Sequence, residues 1–181
     1  MKKKFIIAAS LATTTLFCSL AVQAEERALI QNKGSDTLVN VAQAWAEHYQ
    51  AVDPKVAVAV SGGGSGTGIA AMINGTVDIA NASRKMKSKE LDAAKKKGQN
   101  PVEHVVGYDA LAVFIHKNNP AETFTFAQLQ DVYIRGGKAT KWSDLGLKVP
   151  GCDSDEIVVV SRQNNSGTYA YFKKAVLGKK G

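Results

Sequence analysis

The amino-acid sequence predicts an α/β fold with a mostly parallel sheet, and two observations predict it. Short β-branched runs alternate with segments whose apolar residues recur at helical spacing, the order expected of parallel strands joined by crossover helices. The turns after these runs are made of glycine and hydroxyl residues: Gly34-Ser35-Asp36-Thr37, Ser61-Gly62-Gly63-Gly64-Ser65-Gly66-Thr67-Gly68 and Asn164-Asn165-Ser166-Gly167-Thr168. In open α/β sheets ligands sit at the carboxyl ends of strands, where such turns fall.

Taken in order, residues 28–32 read as a first strand, followed by a helix capped at Ser35-Asp36, on which Leu38, Val41, Ala42, Trp45 and Tyr49 form an apolar face. A second strand spans 56–60 between Pro54 and the glycine loop, and a helix over 69–73 ends near Asn74-Gly75. Residues 77–80 form a third strand that runs into Ser83-Arg84, and Ser88 caps a helix stopped by Gly98. Residues 104–106 and 110–116 are expected as strands, the latter apolar enough to be buried on both faces. Thr125 and Gln128 have capping-box spacing, with Phe124 and Leu129 placed as a hydrophobic staple, so a helix should start at Phe126 and stop at Gly136-Gly137. Residues 141–145 are turn-rich around a buried Trp142, 157–161 read as a strand, and Tyr169, Phe172, Lys173 and Val176 mark a last helix.

The first residues address the chain. Met1-Lys2-Lys3-Lys4, an apolar stretch over 5–20 and Val22-Gln23-Ala24 have the layout of a cleavable signal peptide of residues 1–24, so an exported mature chain should begin at Glu25. The apolar run is short for a membrane anchor, and Phe17 is too bulky to precede a lipid-attachment site at Cys18. Without lysines 2, 3 and 4 the formal charge falls from +7 to +4, which gives no argument for nucleic acid. The lysines of 85–97 lack interleaved aromatics and read as a solvated face. Cys152 is left as an odd cysteine, a free thiol or half of a pair.

The hydroxyl-glycine turns carry the chemistry. A helix start offers unpaired N–H groups and the positive end of its dipole, and Ser or Thr adds hydroxyl donors, so each turn can hold an anion or simply cap a helix. Three in one small chain point to a receptor for one oxyanion. Enzymatic readings fit less well. The glycine loop has no Lys before its hydroxyl and so is no Walker phosphate loop; its glycines miss the dinucleotide spacing, and Thr67 stands where a nucleophile elbow needs glycine. His48, His104 and His116 lack metal-ligand spacing, which leaves a serine hydrolase using Ser65 or Ser166 as the enzymatic alternative.

Five stretches in order carry a resemblance to a known family: 34–37, 60–69, 74–84, 107–113 and 161–168. They resemble the phosphate-binding protein of bacterial high-affinity phosphate ABC importers, over residues 28 to the end. The resemblance implies a two-lobed periplasmic-binding-protein type II fold closing over one phosphate ion, with a first α/β lobe over 25–107 and a partial second lobe over 108–181. Family members continue well past the position of Gly181, so the second lobe is expected to be incomplete here, the isolated fragment poorly folded and weak in binding, and Cys152 to have lost a partner. The resemblance further implies a periplasmic monomer, not an enzyme, with no cofactor or metal, delivering phosphate to the membrane permease subunits of an importer. Carried over by position, Ser35, Thr37, Ser65, Gly66, Ser166, Gly167 and Thr168 donate to the ion, and Ser83 and Arg84 add a fourth contact through a bidentate guanidinium. Asp36 is either an N-cap or the acceptor of the proton that phosphate keeps and sulfate lacks, and Arg162 either orients the last loop or reaches the ligand. A receptor for sulfate or molybdate is the alternative within the same architecture.

Overall fold

The computed structural model describes residues 27–178, and the signal peptide expected over 1–24 lies outside them. The centre of the fold is a three-stranded parallel sheet of order β2-β1-β3, formed by β1 (Ala28–Gly34), β2 (Val56–Ser61) and β3 (Ile79–Asn81). Ala28 pairs with Val56 and Lys33 with Ser61 along one side of β1, while Asn32 to Gly34 pair with Ile79 to Asn81 along the other. The connections are α1 (Val39–Val52), entered through a 3-10 turn over Asp36–Leu38, and α2 (Ser65–Ile73), and α3 (Ser88–Lys96) follows β3. The expected βαβαβ unit is therefore present.

Local chemistry explains its joints. Gly34 sits at φ +148°, and a Cβ there would overlap the Asn81 carbonyl, which accepts the Ser35 N–H at 2.8 Å. Only glycine lets β1 turn this tightly beside β3. At the start of α3 the cap is Lys87, not the expected Ser88: the lysine side chain makes no cap bond, and Glu90, at the third helical position, accepts the Lys87 N–H at 2.8 Å. Within α1 only Ala42 is buried, and Trp45 is half exposed, so the face expected to bury the indole is open.

Beyond α3 the chain forms α4 (Phe126–Tyr133), a 3-10 turn over Trp142–Leu145 and α5 (Gly167–Phe172), which runs on as a π-helical turn over Lys173–Leu177. The Thr125–Gln128 capping box closes as its spacing predicts, and α4 starts at Phe126. The π-helical turn packs on α4, where Gln130 Nε2 donates to the Val176 carbonyl at 2.7 Å; Leu129, Phe172 and Leu177 are buried, and the Tyr133 and Phe172 rings meet edge to face at 4.8 Å. The strands expected over 104–106, 110–116 and 157–161 do not form. Ile157 N–H does reach the Thr140 carbonyl at 2.8 Å and Lys141 bridges Glu156, but Phe114, Val158 and Val160 are 90%, 85% and 81% exposed. A strand exists only through a neighbour, and beyond that single bridge these segments have none among the described residues.

Candidate functional site

The carboxyl ends of β1, β2 and β3 deliver Ser35, the glycine loop and Ser83 to one place. Ser35 Oγ donates to Ser83 Oγ at 3.2 Å, Ser65 Oγ lies 3.2 Å from the same oxygen, and Ser83 N–H donates to Ser65 Oγ at 3.0 Å. Ser35 and Ser65 are buried, 2% and 0% exposed. Ser35 was expected to cap the helix after it; its hydroxyl makes no cap bond and serves this cluster instead.

The third loop arrives from the far part of the chain. Ser166 is buried and caps α5, accepting the Tyr169 N–H at 3.4 Å. A Cβ on Gly167 would overlap the hydroxyls of both Ser83 and Ser65, so glycine is what allows this backbone to close over the cluster. Thr168 and Thr37 approach through their hydroxyls at 3.5 Å. Ser35, Thr37, Ser65, Ser83, Ser166, Gly167 and Thr168, singled out from the sequence, thus converge from four segments. Gly66 is beside them, but its N–H is already donated to the Asn165 carbonyl at 2.8 Å.

Two charged residues are arranged differently from expectation. Arg84 gives its fork to Glu90, with Nη1 to Oε2 at 2.8 Å and Nη2 to Oε1 at 2.9 Å, and adds a bond to the Lys85 carbonyl. The bidentate partner expected to be an oxyanion is a carboxylate of this chain, which also accepts the Lys87 N–H at the start of α3. The Arg84 hydrogen bond pulls the Glu90 carboxyl below its ordinary value; burial opposes this and the Lys87 N–H assists it. Asp36 is no N-cap. Its Oδ1 accepts the Gly63 N–H at 2.8 Å, and its Oδ2 accepts from Arg162 at 3.0 Å and Gln163 at 3.1 Å. Arg162, whose role the sequence left open, therefore pairs with Asp36 across the site.

Residues missed by sequence reasoning are those that hold the loops. Glu90 is an acidic residue in the first turn of a helix, and that much was a readable signal. Asn165 and Gln163 carried none, because their partners are about a hundred or more positions away in the chain. No histidine hydrogen-bonds a clustered serine among the described residues, and no group of three or more His, Cys, Asp or Glu suited to a metal occurs among them. Cys152 is exposed and unpaired among the described residues. No described helix is long and apolar enough to cross a membrane.

Comparison with known proteins places this geometry. Residues 21–181 match the family described as PBP superfamily domain. Protein SphX of Synechococcus elongatus is 37% identical over 86% of this chain and 46% of its own length, and the phosphate-binding protein PstS of Pseudomonas aeruginosa is 37% identical over 83% and 48%. Among solved structures, a proposed phosphate ABC transporter substrate-binding protein from Clostridium perfringens, with bound phosphate, is 35% identical with a TM-score of 0.67, covering 82% of this chain and 56% of that one. An ABC-type phosphate transport receptor from Vibrio cholerae follows at 31% and 0.61, covering 80% and 54%. The chain spans about half the length of the curated relatives it matches.

Proposed function

This chain belongs to the PBP superfamily, and on that premise we propose that it binds inorganic phosphate outside the cytoplasm and delivers it to the membrane subunits of an ABC importer. The observation that carries the reading is the convergence of Ser35, Ser65 and Ser83 under Gly167. Hydroxyls gathered from three segments, two of them fully buried, contribute little to a core, whereas neutral donors in a dry site suit a dehydrated oxyanion. The relatives named for phosphate supply the identity of the ion.

In this reading residues 25–107 and 108–181 act as two lobes, and the ion sits between Ser35, Thr37, Ser65 and Ser83 on one side and Ser166, Gly167 and Thr168 on the other. Gly66 contributes to the shape of its loop. Arg162 supplies the positive charge nearest the ion and Asp36 the carboxylate, while Arg84, held by Glu90, stiffens the Ser83 turn from behind. The protein works as a binding component that performs no chemistry on the ion, is exported by residues 1–24 and acts as a monomer.

A second reading, a receptor for a fully ionised oxyanion such as sulfate or molybdate, draws on Asp36, whose two oxygens already accept three hydrogen bonds. Calorimetric titration separates the two. Phosphate is expected to bind one to one and sulfate far more weakly, because a sulfate oxygen set against the Asp36 carboxylate brings two acceptors together with no proton between them. Equal affinities overturn the phosphate reading in favour of the second.

A further inference from the structure

We infer that Asn165 is a positioning residue that locks the glycine loop to the Ser166-Gly167-Thr168 loop and so sets anion affinity without touching the anion. The inference rests on the anion-binding reading above and adds a residue to which that reading gives no role.

The side-chain amide of Asn165 donates to the Gly63 carbonyl at 2.7 Å and to Thr67 Oγ1 at 3.1 Å. Thr67 Oγ1 itself donates to the Gly63 carbonyl at 2.8 Å, so the three groups close a ring. The Asn165 main chain completes the attachment by accepting the Gly66 N–H at 2.8 Å. Its side chain also lies 3.1 Å from where a Cβ on Gly64 would stand, filling the space that residue leaves. One residue of the third loop therefore binds or covers Gly63, Gly64, Gly66 and Thr67, the turn that presents Ser65.

Chemistry restricts what can stand here. The Gly63 carbonyl only accepts, so the group facing it must donate, and two donors on one planar nitrogen are needed to reach both oxygens. Aspartate has Asn165's shape but would turn carboxylate oxygen against the Gly63 carbonyl and place a negative charge beside the anion's site. Alanine keeps the main-chain bond to Gly66 and removes only the amide. The next residue is Ser166, so a shift of the amide's anchor is passed directly to the hydroxyl and to Gly167 above the serine cluster. A misplacement of this kind matters because closely packed donors act only at hydrogen-bond distance.

The test compares the full chain with its Asn165→Ala and Asn165→Asp variants by amide hydrogen exchange without added anion and by titration with inorganic phosphate. In Asn165→Ala, exchange is expected to rise together at residues 63–67 and 166–168, with β1 and β2 unchanged, and phosphate affinity to fall about tenfold, as loss of one or two neutral hydrogen bonds implies. Asn165→Asp is expected to lose more. Exchange that rises in one loop only, in neither, or throughout β1 and β2 as well overturns the inference, as does unchanged affinity in Asn165→Ala. If the parent chain binds no phosphate, the functional proposal fails, and the exchange pattern alone still decides whether Asn165 couples the loops.

Discussion

Residues 28–96 and residues 101–178 were read from the sequence by the same rules and came out differently. The first region has three strands in register and every expected crossover; the second has its helices but none of its expected strands. The difference lies in where each element's hydrogen bonds go. A helix closes its bonds within a few residues, so Thr125 and Gln128 can specify the start of α4 wherever the rest of the chain lies. A strand must find its partners elsewhere, and an apolar run such as 110–116 says that a buried strand would suit the residues without saying that a neighbour exists.

The sharpest way to break this contrast is amide exchange. Amides in the β1–β2 ladder are expected to exchange roughly a thousandfold or more slowly than those of 104–106, 110–116 and 158–160, since core ladders open only with most of the folding free energy and unpaired segments open freely. Comparable protection in both regions would mean that the second region's extended segments find partners in solution, through self-association or another chain. The exposed Phe114, Val158 and Val160 make self-association the first outcome to check, by measuring the exchange at several protein concentrations.

The candidate site was legible to the extent that its residues are marked by type. Serines and glycines pointed to Ser35, Ser65, Ser83 and Ser166; the first three are gathered because the strand ends that position them pair with one another, whereas Ser166 is placed by its cap on α5 and by the bonds of Asn165 to the glycine loop. Charged residues were less legible. Whether Arg84 faces a ligand or a carboxylate depends on Glu90, a competitor six residues away held by the Lys87 N–H, and whether Asp36 caps a helix or meets Arg162 depends on a loop 126 residues away. Residue type says what a side chain can bind; the competition among partners is settled only in three dimensions.

Arg84 tests the first region from within. Its side chain and that of Glu90 are 14% and 18% exposed, so Arg84→Ala is expected to lower stability by about 1.5–3 kcal/mol, as hydrogen bonds to charged groups do, with a smaller change in phosphate affinity. The pH dependence has a definite sign. Glu90's folded value lies below the ordinary one of 4.5, so its contribution is fully present above that pH and is lost as the pH falls through the lowered value. Thermal melts of Arg84→Ala should therefore show a shallower acid limb than the parent. An affinity loss of tenfold or more with unchanged melting would mean that Arg84 leaves Glu90 for the anion.

Gly167 tests how far the second region depends on the first. Gly167→Ala pushes a methyl group onto the hydroxyls of Ser65 and Ser83, and overpacking of this kind costs about 1–3 kcal/mol. The expected result is a loss of phosphate affinity of roughly five- to a hundredfold, with α5 displaced and the start of α4 at Phe126 unchanged, because that start is specified by its own cap. Full affinity in this variant would show that the third loop does not close over the serine cluster.

The smallest expected effect is carried by the ion pair that spans the two regions. Asp36 and Arg162 meet at 3.0 Å, but their side chains remain 37% and 39% exposed, so water screens the attraction and holding two flexible groups together costs entropy. Asp36→Asn keeps an oxygen for the Gly63 N–H, and Arg162→Gln keeps a donor of reduced reach, so the two variants remove charge with little loss of packing. A double-mutant cycle on thermal or denaturant stability is expected to give a coupling of about 0.2–1 kcal/mol at low salt. In 1 M salt, where the screening length is about 3 Å, the coupling should shrink towards zero. A coupling absent at low salt would mean that the attachment of the third loop to the first region rests on neutral hydrogen bonds, those of Asn165, Gln163 and the hydroxyls. A coupling above about 2 kcal/mol that survives high salt would mean that the pair is desolvated, and that the two regions, so unequal in their strands, are held together by charge as firmly as by packing.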